Sequence, residues 1–290
     1  MDTEAYLRKA VTVLSQQIGA RTFQNIEQLD ETEHYISSEL NSFGYLVSRQ
    51  PFYFSGNTYY NLIAECVGTS SPKKIIVVGA HYDTIFETPG ADDNASGVAG
   101  LLALARLLSG RRLFRSVRFV AFALEESPVY RTENMGSYQY ARSLKEKSEN
   151  VEGMICLEMI GFFSDQEDSQ RYPLSLMRLK YPTTGNFISM VGNMESRQFT
   201  RDIASAFQHA VDLPLVTLNA PSIVVGIDFS DHWSFGKFGY NALMVTDTAF
   251  YRNPHYHEPT DLPGTLDYER AAQVVEGLAS ALERSGMQER

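Results

Sequence analysis

The sequence predicts an α/β protein with a mixed, mostly parallel central sheet flanked by helices. Three observations lead there. Short, nearly continuous apolar runs, such as Ile75 to Ala80 and Val117 to Leu124, have the length of buried strands. Segments with apolar residues at helical spacing alternate with these runs, as in βαβ architectures. No repeat, low-complexity tract or linker-like seam interrupts the alternation. Residues 1–290 are therefore expected to form one domain, with residues 1–44 as helices packing on the sheet.

In chain order, residues 4–19 place Leu7, Val11, Leu14 and Ile18 on one helical face. A second helix is expected over 30–43, with Asp30 as N-cap and Glu33 completing a capping box. Strands at 45–54 and 59–67, hinged at Gly56-Asn57, read as a hairpin, which makes the sheet mixed. The strand Ile75 to Ala80 runs through a Gly/Pro/Asp-rich loop into a helix from Ala95 to Leu108. After the strand Val117 to Leu124 come a loop at 127–133, a helix near 135–147 and a strand from Val151 to Glu158. Residues 162–185 lack a period and read as a long loop with one short helix around 174–179. Strands at Ile188 to Val191, 214–217 and Asn241 to Thr246, a helix at 195–210 and a closing helix from Asp267 to Ser285 complete the chain.

Composition narrows the function. The formal charge is −10 and no long basic run occurs, which disfavours nucleic acid as a partner. No stretch approaches the ~18 apolar residues of a membrane span. The first residues show neither a basic nor an apolar leader pattern. Cys66 and Cys156 lie in strand-like runs and are expected as buried free thiols. A cytoplasmic location is the expectation.

Metal-ligand residue types gather at strand ends: His81, Glu125-Glu126 and Glu158, with Asp93 opening a helix and His255-Tyr256-His257 in a late loop. Each has a structural alternative when taken singly. A histidine after a strand can be a hydrogen-bonding loop residue, Asp93 an N-cap, and a glutamate pair a solvated end. Their coincidence argues for more, because open α/β sheets concentrate chemistry at the carboxyl ends of strands. Acids crowded there need a compensating cation. Two histidines with two or three carboxylates suit Zn²⁺, with Mn²⁺ or Co²⁺ as alternatives.

The motifs His81-Tyr82-Asp83, Gly90-Ala91-Asp92-Asp93-Asn94-Ala95-Ser96-Gly97, Glu125-Glu126, Leu157-Glu158-Met159 and Tyr256-His257 resemble, in order, the five zinc-site motifs of the M28 metallopeptidases. The resemblance runs from about residue 60 to about residue 285. It implies a three-layer, phosphorylase/hydrolase-like sandwich and a co-catalytic two-zinc aminopeptidase. On that resemblance Asp93 bridges two metals, His81 and Glu158 complete one, and Glu126 and His257 complete the other. Glu125 is then the general base, Asp83 orients His81, and Tyr256 polarises the scissile carbonyl. A cis peptide at Asp93-Asn94 is also implied. The departure is Glu158, where many relatives carry Asp, so a one-metal enzyme stays open.

Other residues have weaker grounds. In Ser230-Asp231-His232-Trp233, Asp231 and His232 are expected to support the site loops more than to react. His255 competes with His257 as a ligand, and the Tyr-His pairing favours His257. His209 is expected at a surface helix end. Ser96 lacks a nucleophile elbow. The expected substrate is a peptide or small aminoacyl compound, and the loops 127–133, 162–185 and 218–230 suggest an apolar first residue. Two rivals remain, a one-zinc acyltransferase resembling glutaminyl cyclases and a non-catalytic binding module on the same scaffold. Metal content would separate them.

Overall fold

The computed structural model describes residues 1–284, so the end of the last helix at Ser285 lies outside the described residues. The chain opens with α1 (Thr3–Thr12), which widens into a π-helical stretch, Val13–Ile18, and stops at Gly19 with φ +87°. Next come α2 (Ile26–Ser42), β1 (Ser48–Phe54), β2 (Asn57–Cys66) and β3 (Ser71–His81). A tight turn, Ala91–Ser96, leads into α3 (Gly97–Leu108), followed by β4 (Arg115–Phe122), α4 (Gly136–Glu146) and β5 (Val151–Leu157). The remainder comprises β6 (Ile188–Gly192), α5 (Arg197–Gln208), β7 (Leu215–Asn219), α6 (His232–Lys237), β8 (Ala242–Thr246) and α7 (Tyr268–Arg284).

All eight strands join one sheet in the order β1-β2-β4-β3-β5-β8-β6-β7. The four central strands are mutually parallel, as shown by the β3/β4, β3/β5 and β5/β8 pairings. The β1/β2 hairpin adds antiparallel to β4, and β6 runs antiparallel to β8, so the sheet is mixed. Successive residues of β3 face opposite cores. Ile76, Val78 and Ala80 pack with α1, α3 and α7, whereas Ile75 and Val77 face the side of Tyr140 and Leu144 of α4 and Phe235 of α6. This two-sided burial is why the central strands read as unbroken apolar runs. On α3, Leu101, Leu102, Leu104 and Leu108 are wholly buried, each contributing about 1.5–3 kcal/mol of transfer free energy.

Three elements differ from expectation. The α2 helix starts at Ile26 with Asn25 in the N-cap position, leaving Asp30 inside the helix. The local box lost because Leu29 is buried against the core, and Glu33 instead meets Arg49 (2.5 Å) and the Tyr82 hydroxyl (3.2 Å). The α6 helix is too short to show a period in sequence. The first helix is α-helical only to Thr12. At the other end Asp267 does cap α7, its carboxylate accepting the Arg270 N–H at 3.0 Å.

Parallel strands bring their carboxyl ends to one edge. The loops after β3, β4, β5 and β8 therefore meet, and each of the five zinc-site motifs lies on or beside one of them, while Ser230-Asp231-His232-Trp233 follows β7. The helical layer of α4 and α6 covers one face of the sheet near β4, β3 and β5. The α6 helix also packs on β8; over β6, β7 and the carboxyl end of β8 loops take its place.

Candidate metal centre

His81 ends β3 and is 1% exposed. Its Nε2 lies 3.5 Å from Asp93 Oδ1 and 3.3 Å from Glu158 Oε2. His257 Nε2 lies 3.2 Å from Asp93 Oδ2 and 3.3 Å from Glu126 Oε1. Two triads result, His81/Asp93/Glu158 and Asp93/Glu126/His257, with Asp93 common to both. Glu125 belongs to neither; it is buried at the wall of the same cleft.

The spacing fits a metal ion. Ligand atoms around a tetrahedral zinc, bonded at about 2.0–2.1 Å, lie roughly 3.3 Å from one another. The four separations match that value and sit at or beyond the long end for a hydrogen bond. Moreover, Asp93 Oδ1 is buried without a hydrogen-bond donor, an orphan that ordinarily costs ~1–3 kcal/mol or more. A cation held by the His81 triad would satisfy it.

Short polar side chains set the ligands in place. The Asp83 carboxylate sits 3.4 Å from His81 Nδ1 and accepts the N–H of Glu125 (2.9 Å) and of Glu126 (3.1 Å). One residue thus orients a β3 ligand and anchors the loop after β4. Asn94 does the same for β5: its Nδ2 donates to Leu157 O at 2.9 Å and its Oδ1 accepts Met159 N–H at 3.1 Å. Asp261 accepts the N–H groups of Asp92 and Asp93. Ser230 Oγ donates to Glu158 Oε2 at 2.5 Å and lies 3.2 Å from Cys156 Sγ. The peptide Asp93-Asn94 is cis. Leu124, Met159 and His257 take left-handed backbone at φ 56°, 50° and 59°, each a conformation costing ~1 kcal/mol or more that functional loops tolerate.

The electrostatics follow from crowding. Burial, then the neighbouring acids, drive Glu125 well above the ordinary carboxylate range. Burial and Asp93 hold Glu126 up to about 7. Burial opposes charge on His257, but the facing carboxylates of Asp93 and Glu126 outweigh it and raise its pKa to about 10. For Asp93 burial again opposes ionisation, and the two histidines overcome it and lower its pKa. Such a cluster favours the arrival of positive charge.

Residues 61–282 match the model of peptidase family M28. The chain belongs to that family. This M28 chain is 40% identical over 287 residues to the protein of Escherichia coli K12 named "Uncharacterized protein YfbL", covering 96% of the chain and 87% of the relative. A "Probable leucine aminopeptidase" of Trichophyton verrucosum is 28% identical over 239 residues; 77% of the chain is aligned, and it spans 57% of that relative's length. Among solved structures, the zinc aminopeptidase BSAP of Bacillus subtilis superposes with a TM-score of 0.77 at 16% identity, covering 97% of this chain and 95% of the other. A glutaminyl cyclase of Porphyromonas gingivalis superposes at 0.74 with 19% identity, covering 97% and 98%. At these identities the likeness is one of fold.

Elsewhere in the M28 chain, the remaining polar residues sort clearly. His255 bonds Thr260 Oγ1 at 2.9 Å and stands outside both triads. His232 is buried, its Nε2 on Ile227 O at 2.7 Å, tying a loop together. Asp231 is wholly buried behind the cage, and burial pushes it up to about 7. His209 is exposed at the end of α5, and Ser96 Oγ is spent on Asp92 O and Ile160 N–H. Both cysteines are buried free thiols. Tyr256 stacks on His257 with ring centroids 3.7 Å apart. Sequence reasoning named Asn94 and Ser230 only as parts of motifs and missed Asp261; their signal is an amide, hydroxyl or acid near a ligand in a strand-end loop.

Glu158 and Tyr256 also line a second cavity. Its floor is the uncovered sheet face, with Ser189, Val191, Val216, Leu218 and Met244. Loop residues Tyr172, Tyr181, Phe229, Phe250 and Tyr251 wall it with aromatic rings.

Proposed function

We propose that this M28 chain is a two-zinc aminopeptidase that removes an apolar residue from the N-terminus of peptides. One observation carries the reading: Asp93 is shared by two ligand triads while Glu125, in the same cleft, belongs to neither. In this reading His81, Asp93 and Glu158 hold one ion, and Asp93, Glu126 and His257 hold the other. Bound zinc supplies Lewis acidity, polarising the scissile carbonyl and lowering the pKa of water toward neutrality.

The protein's own residues do the rest. A Glu125 carboxylate oxygen accepts a proton from the attacking water as the new C–O bond forms, and returns it to the leaving amine as C–N breaks. Asp83 keeps His81 oriented through Nδ1, leaving Nε2 as the ligand atom. Tyr256, at the junction of the two cavities, donates to the developing oxyanion.

Among the described residues lining the cleft over the cage are four acids and no Lys or Arg. A free α-ammonium suits such a wall; a substrate carboxylate would lack an anchor. The adjoining aromatic cavity supports an apolar first side chain.

The test is metal analysis of the purified chain together with turnover of aminoacyl-p-nitroanilides and their N-blocked forms. The expected result is two zinc ions per chain and cleavage of unblocked leucyl and phenylalanyl substrates only. One ion with cyclisation of glutaminyl peptides would favour the acyltransferase, and no metal a binding module.

A further inference from the structure

Arg21 lies forty residues before the region matched by the family model and belongs to none of the metal-site motifs. It is 1% exposed. Its guanidinium bonds no carboxylate and spends itself on five carbonyl oxygens. Nε donates to Tyr82 O (2.8 Å), Nη1 to Leu14 O (2.7 Å), Gly19 O (2.7 Å) and Pro89 O (3.0 Å), and Nη2 to Gly90 O (3.2 Å). The backbone joins in: Arg21 N–H donates to Thr84 Oγ1 at 3.0 Å and Thr84 N–H to Arg21 O at 3.2 Å.

These contacts bracket the metal-site loop. Tyr82 and Thr84 flank Asp83, which aligns His81 and anchors Glu125 and Glu126. Pro89 and Gly90 lead into the turn that carries Asp93. Gly90 stands at φ +61°, and a Cβ there would come within 2.4 Å of Asp93 O and 3.1 Å of Arg21 Nη2. The guanidinium therefore fills the concave side of the 82–90 loop.

We propose that Arg21 is a positioning residue of the metal centre, fixing the 82–90 loop so that Asp83 and Asp93 are held in register with His81. The N-terminal segment is then a working part of the site. This rests on the metal-centre reading above. Arg21 acts through geometry and against its own charge, because a cation near the cage repels an incoming dication. A planar fork reaches five carbonyls from three nitrogens, with the Nη1 hydrogens shared among three acceptors; a lysine ammonium, with three donors on one nitrogen, cannot span them.

The opposed signs make the test decisive. Zinc and cobalt(II) affinity, and the visible spectrum of the cobalt(II) form, are measured on the full chain and on Arg21→Met and Arg21→Lys, well below their unfolding temperatures. Both variants are expected to bind at least tenfold more weakly, with an altered cobalt spectrum, and Lys not to rescue. Thr84→Val, which removes one tie and keeps Arg21, is expected to shift affinity in the same direction by a smaller factor, and reads the proposal if Arg21→Met does not fold. Tighter binding by Arg21→Met with wild-type behaviour of Arg21→Lys would make Arg21 a counter-charge and overturn the proposal. Unchanged affinity and spectrum with only a lower unfolding temperature would overturn it as well. Failure of the wild-type chain to bind either metal would instead refute the metal-centre reading.

Discussion

The two halves of the cage share Asp93 but are built differently. In the inner half His81 is 1% exposed, and the two ligands besides Asp93 are propped, His81 by Asp83 and Glu158 by Ser230. In the outer half the His257 side chain is 29% exposed. It is held by stacking on Tyr256, and Glu126 is anchored through its backbone. A ligand locked by hydrogen bonds in a dry setting gives up little freedom when it binds an ion, and one on a solvent-facing loop gives up more. One ion position should therefore be tight and slow, the other looser and exchangeable. Glu158 belongs to the inner half, and its Oε2 accepts the Ser230 hydroxyl at 2.5 Å.

The largest expected effect tests what the halves have in common. Glu125→Gln should lower kcat by about a thousandfold or more while retaining both ions, since a base outside both triads contributes ~10²–10⁴-fold; metal analysis alongside turnover would show this, and loss of an ion would make Glu125 a ligand. Next, graded chelation should strip the metal in two stages. The first ion should leave at a chelator concentration at least tenfold below the second, and His257→Ala should abolish the first stage only. A single concerted stage would erase the difference between the halves. Ser230→Ala should weaken the inner ion by about 10–100-fold, the usual cost of losing a hydrogen bond to a ligand, and leave the outer ion unchanged in isothermal titration. The smallest effect is expected in the aromatic cavity beside Glu158: Met244→Trp should lower kcat/KM for leucyl over alanyl substrates by about tenfold, the low end of the ~1–3 kcal/mol for pocket shape.

Much of this was legible beforehand because it is written in local pattern. Val77 and Val78 lie in an apolar run because both of their faces are buried, and that run ends on His81. His81, Glu125-Glu126 and Glu158 could be named for the same reason, since ligand types at strand ends are visible one strand at a time; the roles given to Asp83, Asp93, Tyr256 and His257 came from the resemblance of their motifs to the family. The α2 start was misjudged because Asp30 and Glu33 form a plausible box locally, whereas Leu29 and the Arg49 and Tyr82 partners of Glu33 come from elsewhere in the chain. The α6 helix, six residues long, offers too few turns for a period. Arg21 and Asp261 were passed over because their partners are mostly backbone atoms, which leave no trace in residue type.

By itself the sequence determined the alternation of strands and helices, the family, and which side chains could take part in the chemistry, because burial and ligand type are properties of single residues and their spacing. Only the tertiary structure decided that Asp93 is shared by two triads, that Glu125 stands outside both, and that the sheet face over β6, β7 and the carboxyl end of β8 is left open as a cavity. Those facts depend on how loops after different strands meet in space. That meeting is governed by hydrogen bonds that Asp83 and Asp261 accept, and that Asn94 and Ser230 donate, across segments far apart in sequence.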